Sequence, residues 1–185
     1  MSNESLSPSA DTGAAPSVVR GGGEGGGAGT TGQTQFISFA IGGEQYGVDI
    51  MAVREIKGWS QITQIPKQPD YMRGVLNLRG IMVPIIDLRC RFGQGMTEAT
   101  PLHIVIVVQI GTRHVGLLAD RVLDIVAINA AQIQPVPRIA QGSRADFLSG
   151  LVTIESGMIA LIDLSHLLSM SVSYENSAVP QQAAA

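Results

Sequence analysis

The sequence predicts a mainly β body made of two related halves, a paired barrel or paired sheet with about five strands in each half. The chain repeats itself: QYGVDIMAVREI (45–56) aligns with HVGLLADRVLDI (114–125), and GVLNLRGIMVPIIDL (74–88) aligns with GLVTIESGMIALIDL (150–164). The matched positions are glycines and apolar residues, the kinds that specify a fold: Gly47/Gly116, Val53/Val122, Ile56/Ile125 and Ile85-Ile86-Asp87-Leu88/Leu161-Ile162-Asp163-Leu164. Two copies are too few for a solenoid, which buries a continuous core only with three or more units. Halves of this size are marginal alone, so burying apolar surface between them at roughly 25 cal/mol per Å² favours one body.

Each copy opens with a hairpin. FISFAI (36–41) runs through Gly42-Gly43 into QYGVDI, and HIVIVVQI (103–110) through Gly111-Thr112 into HVGLLA. Ile50, Val53 and Ile56, spaced by three, read as a turn running into a strand. The stretches 62–65 and 133–136 lead into Pro66 and Pro137, as strand ends or edges do, because proline cannot donate to a ladder. PDYMRG (69–74) and SRADFLSG (143–150) read as short helices stopped by glycine. VLNLRG with IMVPIIDL, and LVTIES with GMIALIDL, form second hairpins, and Asp87 and Asp163 stand where an N-cap starts a final helical turn.

Composition narrows function. Of 185 residues 45% are hydrophobic, ample for a core, and the net charge of −3 with 4% aromatic residues disfavours a nucleic-acid groove, which needs basic charge and stacking rings. The lone cysteine, Cys90, has no internal disulfide partner, and His103, His114 and His166 show no metal-ligand spacing. A reducing intracellular setting follows as the expectation, with no secretory signal and no apolar run long enough to cross a bilayer. Residues 1–34 and 172–185 are expected to be flexible tails around a folded region 35–171, whose halves span about 35–102 and 103–171. The tail motif GEGGGAG lacks the GK[ST] ending of a phosphate loop.

Candidate chemistry is sparse. Asp87 and Asp163 could be a carboxylate pair, but capping explains their shared IIDL/LIDL context. Cys90 as a nucleophile needs a base and an electropositive setting, which Arg89 and Arg91 supply only if both point at it. Met51, Met72 and Met82 read as core filler in preference to a binding surface. Trp59 is either a packing plug or an exposed contact. Arg79 stands out because the second copy carries Glu155 in its place, so either a function or an exposed turn explains it, whereas Glu55 recurs as Asp124.

The runs GEQYGVDIMAVREI, ITQIP, PDYMRGVLNLRGIMVPIIDLR, IVVQIGTRHVGLLADRVLDIV and GLVTIESGMIALIDL, in that order over about residues 35–170, resemble the CheW family of chemotaxis coupling proteins. The resemblance implies two pseudo-symmetric five-stranded SH3-like β-barrels with short helices. It also implies a non-enzymatic, cytoplasmic adaptor that bridges the tip of a methyl-accepting chemoreceptor and the regulatory domain of the histidine kinase CheA, with no cofactor, nucleic acid or membrane insertion. Carried onto this chain, the receptor contacts fall on Val53, Glu55, Gly74, Arg79 and Ile104, and the kinase contacts on Ile56 and Ile62. The Gly-rich N-terminal tail departs from the family pattern and leaves a pilus-type or other parallel chemosensory pathway as the alternative setting.

Overall fold

The computed structural model describes residues 32–137 and 145–172. The expected tails lie outside these residues, apart from Gly32 in a turn, Gln33 and Thr34, which open the first strand, and Val172, which ends the last helix. Ten strands are described: β1 Gln33–Ile41, β2 Glu44–Asp49, β3 Val53–Gly58, β4 Met72–Leu78, β5 Ile81–Asp87, β6 Ile104–Ile110, β7 Arg113–Ala119, β8 Arg121–Asn129, β9 Leu148–Ile154 and β10 Gly157–Ile162. Helices α1 Leu88–Arg91 and α2 Leu164–Val172 follow β5 and β10, each entered through its aspartate. Asp87 accepts from the Cys90 amide and Asp163 from the His166 amide. Capping thus explains why both copies carry the aspartate.

The strands form two five-stranded mixed sheets, ordered β8-β1-β2-β10-β9 and β3-β6-β7-β5-β4. Replacing each strand by its counterpart in the other copy turns the first order into the second, so the repeat is a structural pseudo-symmetry. The copies exchange strands: β1 and β2 join β8, β9 and β10, while β6 and β7 join β3, β4 and β5. Parallel pairings of β2 with β10 and β5 with β7 make the junctions.

The topology is SH3-like, but neither sheet closes, which corrects the expectation of two barrels. β8 and β9 remain the edges of the first sheet and β3 and β4 those of the second. Each gap is crossed by one isolated antiparallel bridge, Thr63 to Val75 and Gln134 to Leu151. Reciprocal backbone bonds of 2.8–2.9 Å make both bridges. Pro66 and Pro69 follow the first bridging residue, and Pro135 and Pro137 the second. Without N–H groups these prolines cannot extend the bridge into a ladder.

Three apolar clusters fill the body. The largest joins Phe39, Ile41, Tyr46 and Val48 of the first sheet to Ile86, Ile106, Val108 and Leu117 of the second. Val83, Ile85, Val105 and Val107 form a cluster within the second sheet, and Phe36, Ile128, Val152 and Ile159 one within the first. Both faces of the central strands are therefore buried, which is why β6 reads IVIVV with no polar alternation.

The repeat glycines mark close approaches. A Cβ on Gly116 would strike the side chains of Ile85 and Val105, and one on Gly47 would press on Leu161 at 3.0 Å and Ile159 at 3.1 Å. A Cβ on Gly74 would run into the Thr63 carbonyl, and one on Gly150 into Ile133. Gly74 and Gly150 thus sit inside strands beneath the bridging segments, and the expected glycine-stopped helices are corrected. The first is a turn running into β4, and the second shows only a 3₁₀ turn, Ala145–Phe147, before β9, with residues 143–144 outside the described residues. The turn-into-strand expectation around Ile50 holds, as a 3₁₀ turn Ile50–Ala52 feeding β3. Of the methionines read as filler, Met72 packs on the core, but Met51 and Met82 are exposed.

Gly116→Ala is expected to lower unfolding free energy by about 1–3 kcal/mol through overpacking. Gly43→Ala, where a Cβ meets nothing within 4 Å, is expected to change it by less than about 0.5 kcal/mol. Chemical denaturation of the two variants beside the parent checks the contrast.

Candidate functional site

Val53, Glu55, Ile56, Gly74, Arg79, Ile104 and Ile62 all fall on the second sheet, its β4–β5 turn or the segment that bridges its gap. β3 is an edge strand, and a bulge between Val53 and Glu55 shifts its register on β6. Val53 packs against the core between the sheets, whereas Ile56, opposite Ile106, is exposed. Ile104 opens β6 opposite Gly58 and is half-buried. Ile62 packs on the cluster of Leu76 and Val83 beside the half-buried Trp59, whose amide donates to the His103 carbonyl at 2.8 Å. Trp59 therefore acts as a packing plug.

The structure brings Glu55 and Arg79 together. Arg79 Nη2 lies 3.7 Å from Glu55 Oε2, with the arginine side chain 87% exposed and the glutamate 35%. β3 and β4 are opposite edges in strand order, so the curl of the sheet is what lets the β4–β5 turn reach β3. An ion pair this exposed adds little stability, about 0–1 kcal/mol. Its value is a fixed, solvent-facing pattern of charge. Gly74 is buried, and it shapes the surface through the backbone by admitting the Thr63 carbonyl.

The residues considered for chemistry are occupied structurally. Buried Asp87 accepts from the Thr97 amide at 2.8 Å and hydroxyl at 2.7 Å and from Arg73 Nη1 at 3.3 Å, besides capping α1. It pins the loop after α1 to the sheet. Burial pushes the Cys90 thiol up from its ordinary value, the charges of Asp87 and Asp70 add to this, and Arg73 opposes it. The flanking arginines turn elsewhere: Arg89 binds Asp120 at 3.0 Å, and the Arg91 guanidinium lies 4.2 Å from the Tyr71 ring centroid and 4.4 Å from that of Phe147. Among the described residues no group of three or more His, Cys, Asp or Glu converges as a metal site would require, and no helix is long and apolar enough to cross a membrane.

A profile of the CheW-like domain matches residues 35–172, from inside β1 to the end of α2. The chain belongs to the CheW-like domain family. It is 42% identical over 142 residues to the chemotaxis protein CheW of Klebsiella aerogenes, covering 77% of this chain and 86% of that protein. It is 44% identical over 135 residues to the chemotaxis protein CheW of Rhizobium meliloti, covering 73% and 87%. Among solved structures, the scaffolding protein TtCheW from Thermoanaerobacter tengcongensis superposes with a TM-score of 0.68 at 32% identity, over 74% of this chain and 88% of that one. In this CheW-like domain the exposed charge pair and Ile56 are surface features, while the buried Asp87 holds the fold.

The Cys90 environment gives a pH test. A thiol pKa raised by folding stabilises the folded chain below the free-thiol pKa, and this contribution is lost as pH rises through the folded value. Iodoacetamide is therefore expected to alkylate native Cys90 more slowly than the urea-unfolded chain at about pH 8–9, with the native pH profile displaced upward. A native profile at or below that of a free thiol would refute the assignment.

Proposed function

We infer that this chain is a non-catalytic adaptor that couples methyl-accepting chemoreceptors to the histidine kinase CheA, working in the cytoplasm at membrane-associated receptor arrays. Membership of the CheW-like family carries this reading. Physical support comes from a body whose buried carboxylate caps a helix, whose thiol is driven toward its protonated form, and whose exposed features suit recognition. An adaptor needs apolar contact area and a few charges that set register, and interfaces of this kind do not require a reactive centre.

On this reading the receptor tip meets Val53, Glu55, Gly74, Arg79 and Ile104, with Gly74 acting through the close approach of the Thr63 backbone that it admits. The single observation that favours this placement is the solvent-facing Glu55–Arg79 pair at the edge of the second sheet. Opposite charges held together present both signs to a helical partner and fix its register. CheA engages the exposed Ile56 on the β3 edge and the half-buried Ile62 in the segment that follows β3.

Arg79→Glu is expected to weaken binding to chemoreceptors in nanodiscs at least tenfold, because it removes a cation and sets two acids against each other. Unfolding free energy should change by less than about 1 kcal/mol, as the pair is exposed. Receptor-dependent CheA autophosphorylation, measured with purified receptor, kinase and adaptor, should fall in parallel. Parent-like binding and kinase coupling by this variant would remove Arg79 from the contact.

A further inference from the structure

The β4–β5 turn is unusual in one respect. Leu78 pairs with Ile81, leaving Arg79 and Gly80 as a two-residue loop with φ of 52° and 90°. Left-handed backbone at both central positions is the type I′ hairpin, whose first central position favours Asn, Asp or Gly. A long side chain with a Cβ is disfavoured there by its contact with the following carbonyl. Among the described residues only Lys67 and Arg79 are non-glycine residues with positive φ. The corresponding turn of the second copy carries Glu155 and Ser156 with no positive φ at either, and moves its left-handed residue to Gly157. The strained conformation therefore belongs to Arg79 and not to the repeat.

Asn77 holds that conformation. Its Oδ1 accepts the Gly80 amide at 2.8 Å, closing the turn around Arg79 from the side chain. The second copy has Thr153 at this position. Brace, left-handed arginine and the ion pair to Glu55 occur together in one half and not in the other. We propose that Asn77 is a positioning residue for partner recognition: by holding the Gly80 amide it keeps Arg79 left-handed and presents the guanidinium beside Glu55. The proposal rests on the receptor-contact reading of Arg79. The exposed position of Asn77 also allows a direct contact of its own, and the two roles differ in how they combine with loss of Arg79.

The test measures binding of the full chain to a chemoreceptor in nanodiscs for Asn77→Ala, Asn77→Thr, Asn77→Asp, Arg79→Ala and the Asn77→Ala/Arg79→Ala double variant. Loss of one hydrogen bond that preorganises a contact predicts roughly three- to tenfold weaker binding for Asn77→Ala, and a similar loss for Asn77→Thr. Asn77→Asp, which keeps the acceptor, should stay within about twofold of the parent. The double variant should bind no more weakly than Arg79→Ala, and Gly80 amide exchange by NMR should accelerate in Asn77→Ala but not in Asn77→Asp. Parent-like binding of Asn77→Ala, or an Asn77 loss that persists undiminished without Arg79, overturns the proposal and leaves the receptor reading standing. Parent-like binding of Arg79→Ala overturns both. Should Asn77→Ala fail to fold, Asn77→Thr carries the same comparison with the residue that the second copy already tolerates.

Discussion

Everything in this fold depends on strands exchanged between the two copies of the repeat. Neither copy makes a sheet by itself: β1 pairs with β8, β2 with β10, β3 with β6 and β5 with β7, and each pairing joins residues of different copies. The side chain of Ser38 meets the backbone of Asp124 across 86 residues of sequence. Such long-range pairing carries loop-closure entropy before it returns any contact energy, which favours slow folding for the chain length and couples the two halves. The described residues accordingly cluster as one compact unit. One pair of the glycines retained in both copies serves this exchange. Gly47 and Gly116 lie at the parallel junctions, where side chains of the partner copy lie close over the backbone.

Strand number, hairpin turns and capping aspartates were legible because each rests on local chemistry. Gly42-Gly43 turns a hairpin and Asp87 caps a helix whatever the rest of the chain does. What escaped was set at a distance. Gly74 and Gly150 resemble helix stops, yet they are required by segments some 11 and 16 residues upstream, Thr63 and Gln134. Closure into barrels was likewise unreadable, since it turns on whether proline-bounded segments make one bridge or a ladder. The exposure of Met51 and Met82 was missed because methionine packs and protrudes with equal ease.

The surface site was legible in part. Arg79 drew attention because its counterpart is Glu155, a failure of the repeat to repeat, whereas the recurrence of Glu55 as Asp124 favoured a fold-level role and only the family resemblance marked it as a contact. That they meet across the sheet follows only from its curl. Asn77 carried a weak signal, an Asx residue three before a glycine, which is the sequence of a side-chain-closed turn. The sequence reading placed it only within the VLNLRG strand.

Symmetry and its failure divide the labour of this chain. Positions kept in both copies are those the skeleton cannot change: junction glycines, bridged strands and helix caps. Tyr71 and Phe147 stand at equivalent positions and their rings flank the same guanidinium, yet Arg91 has buried Leu167 as its own counterpart. Charge reverses outright at the two turns, arginine in one and glutamate in the other, as it also does between Glu44 and Arg113 where β2 and β7 begin. An adaptor with identical halves would offer one partner two equivalent sites and would not distinguish receptor from kinase. If Arg79 meets the receptor as proposed, Glu155 in the second turn would repel at the pseudo-equivalent position a carboxylate that Arg79 attracts, and the duplicated fold would discriminate by opposition as well as by fit.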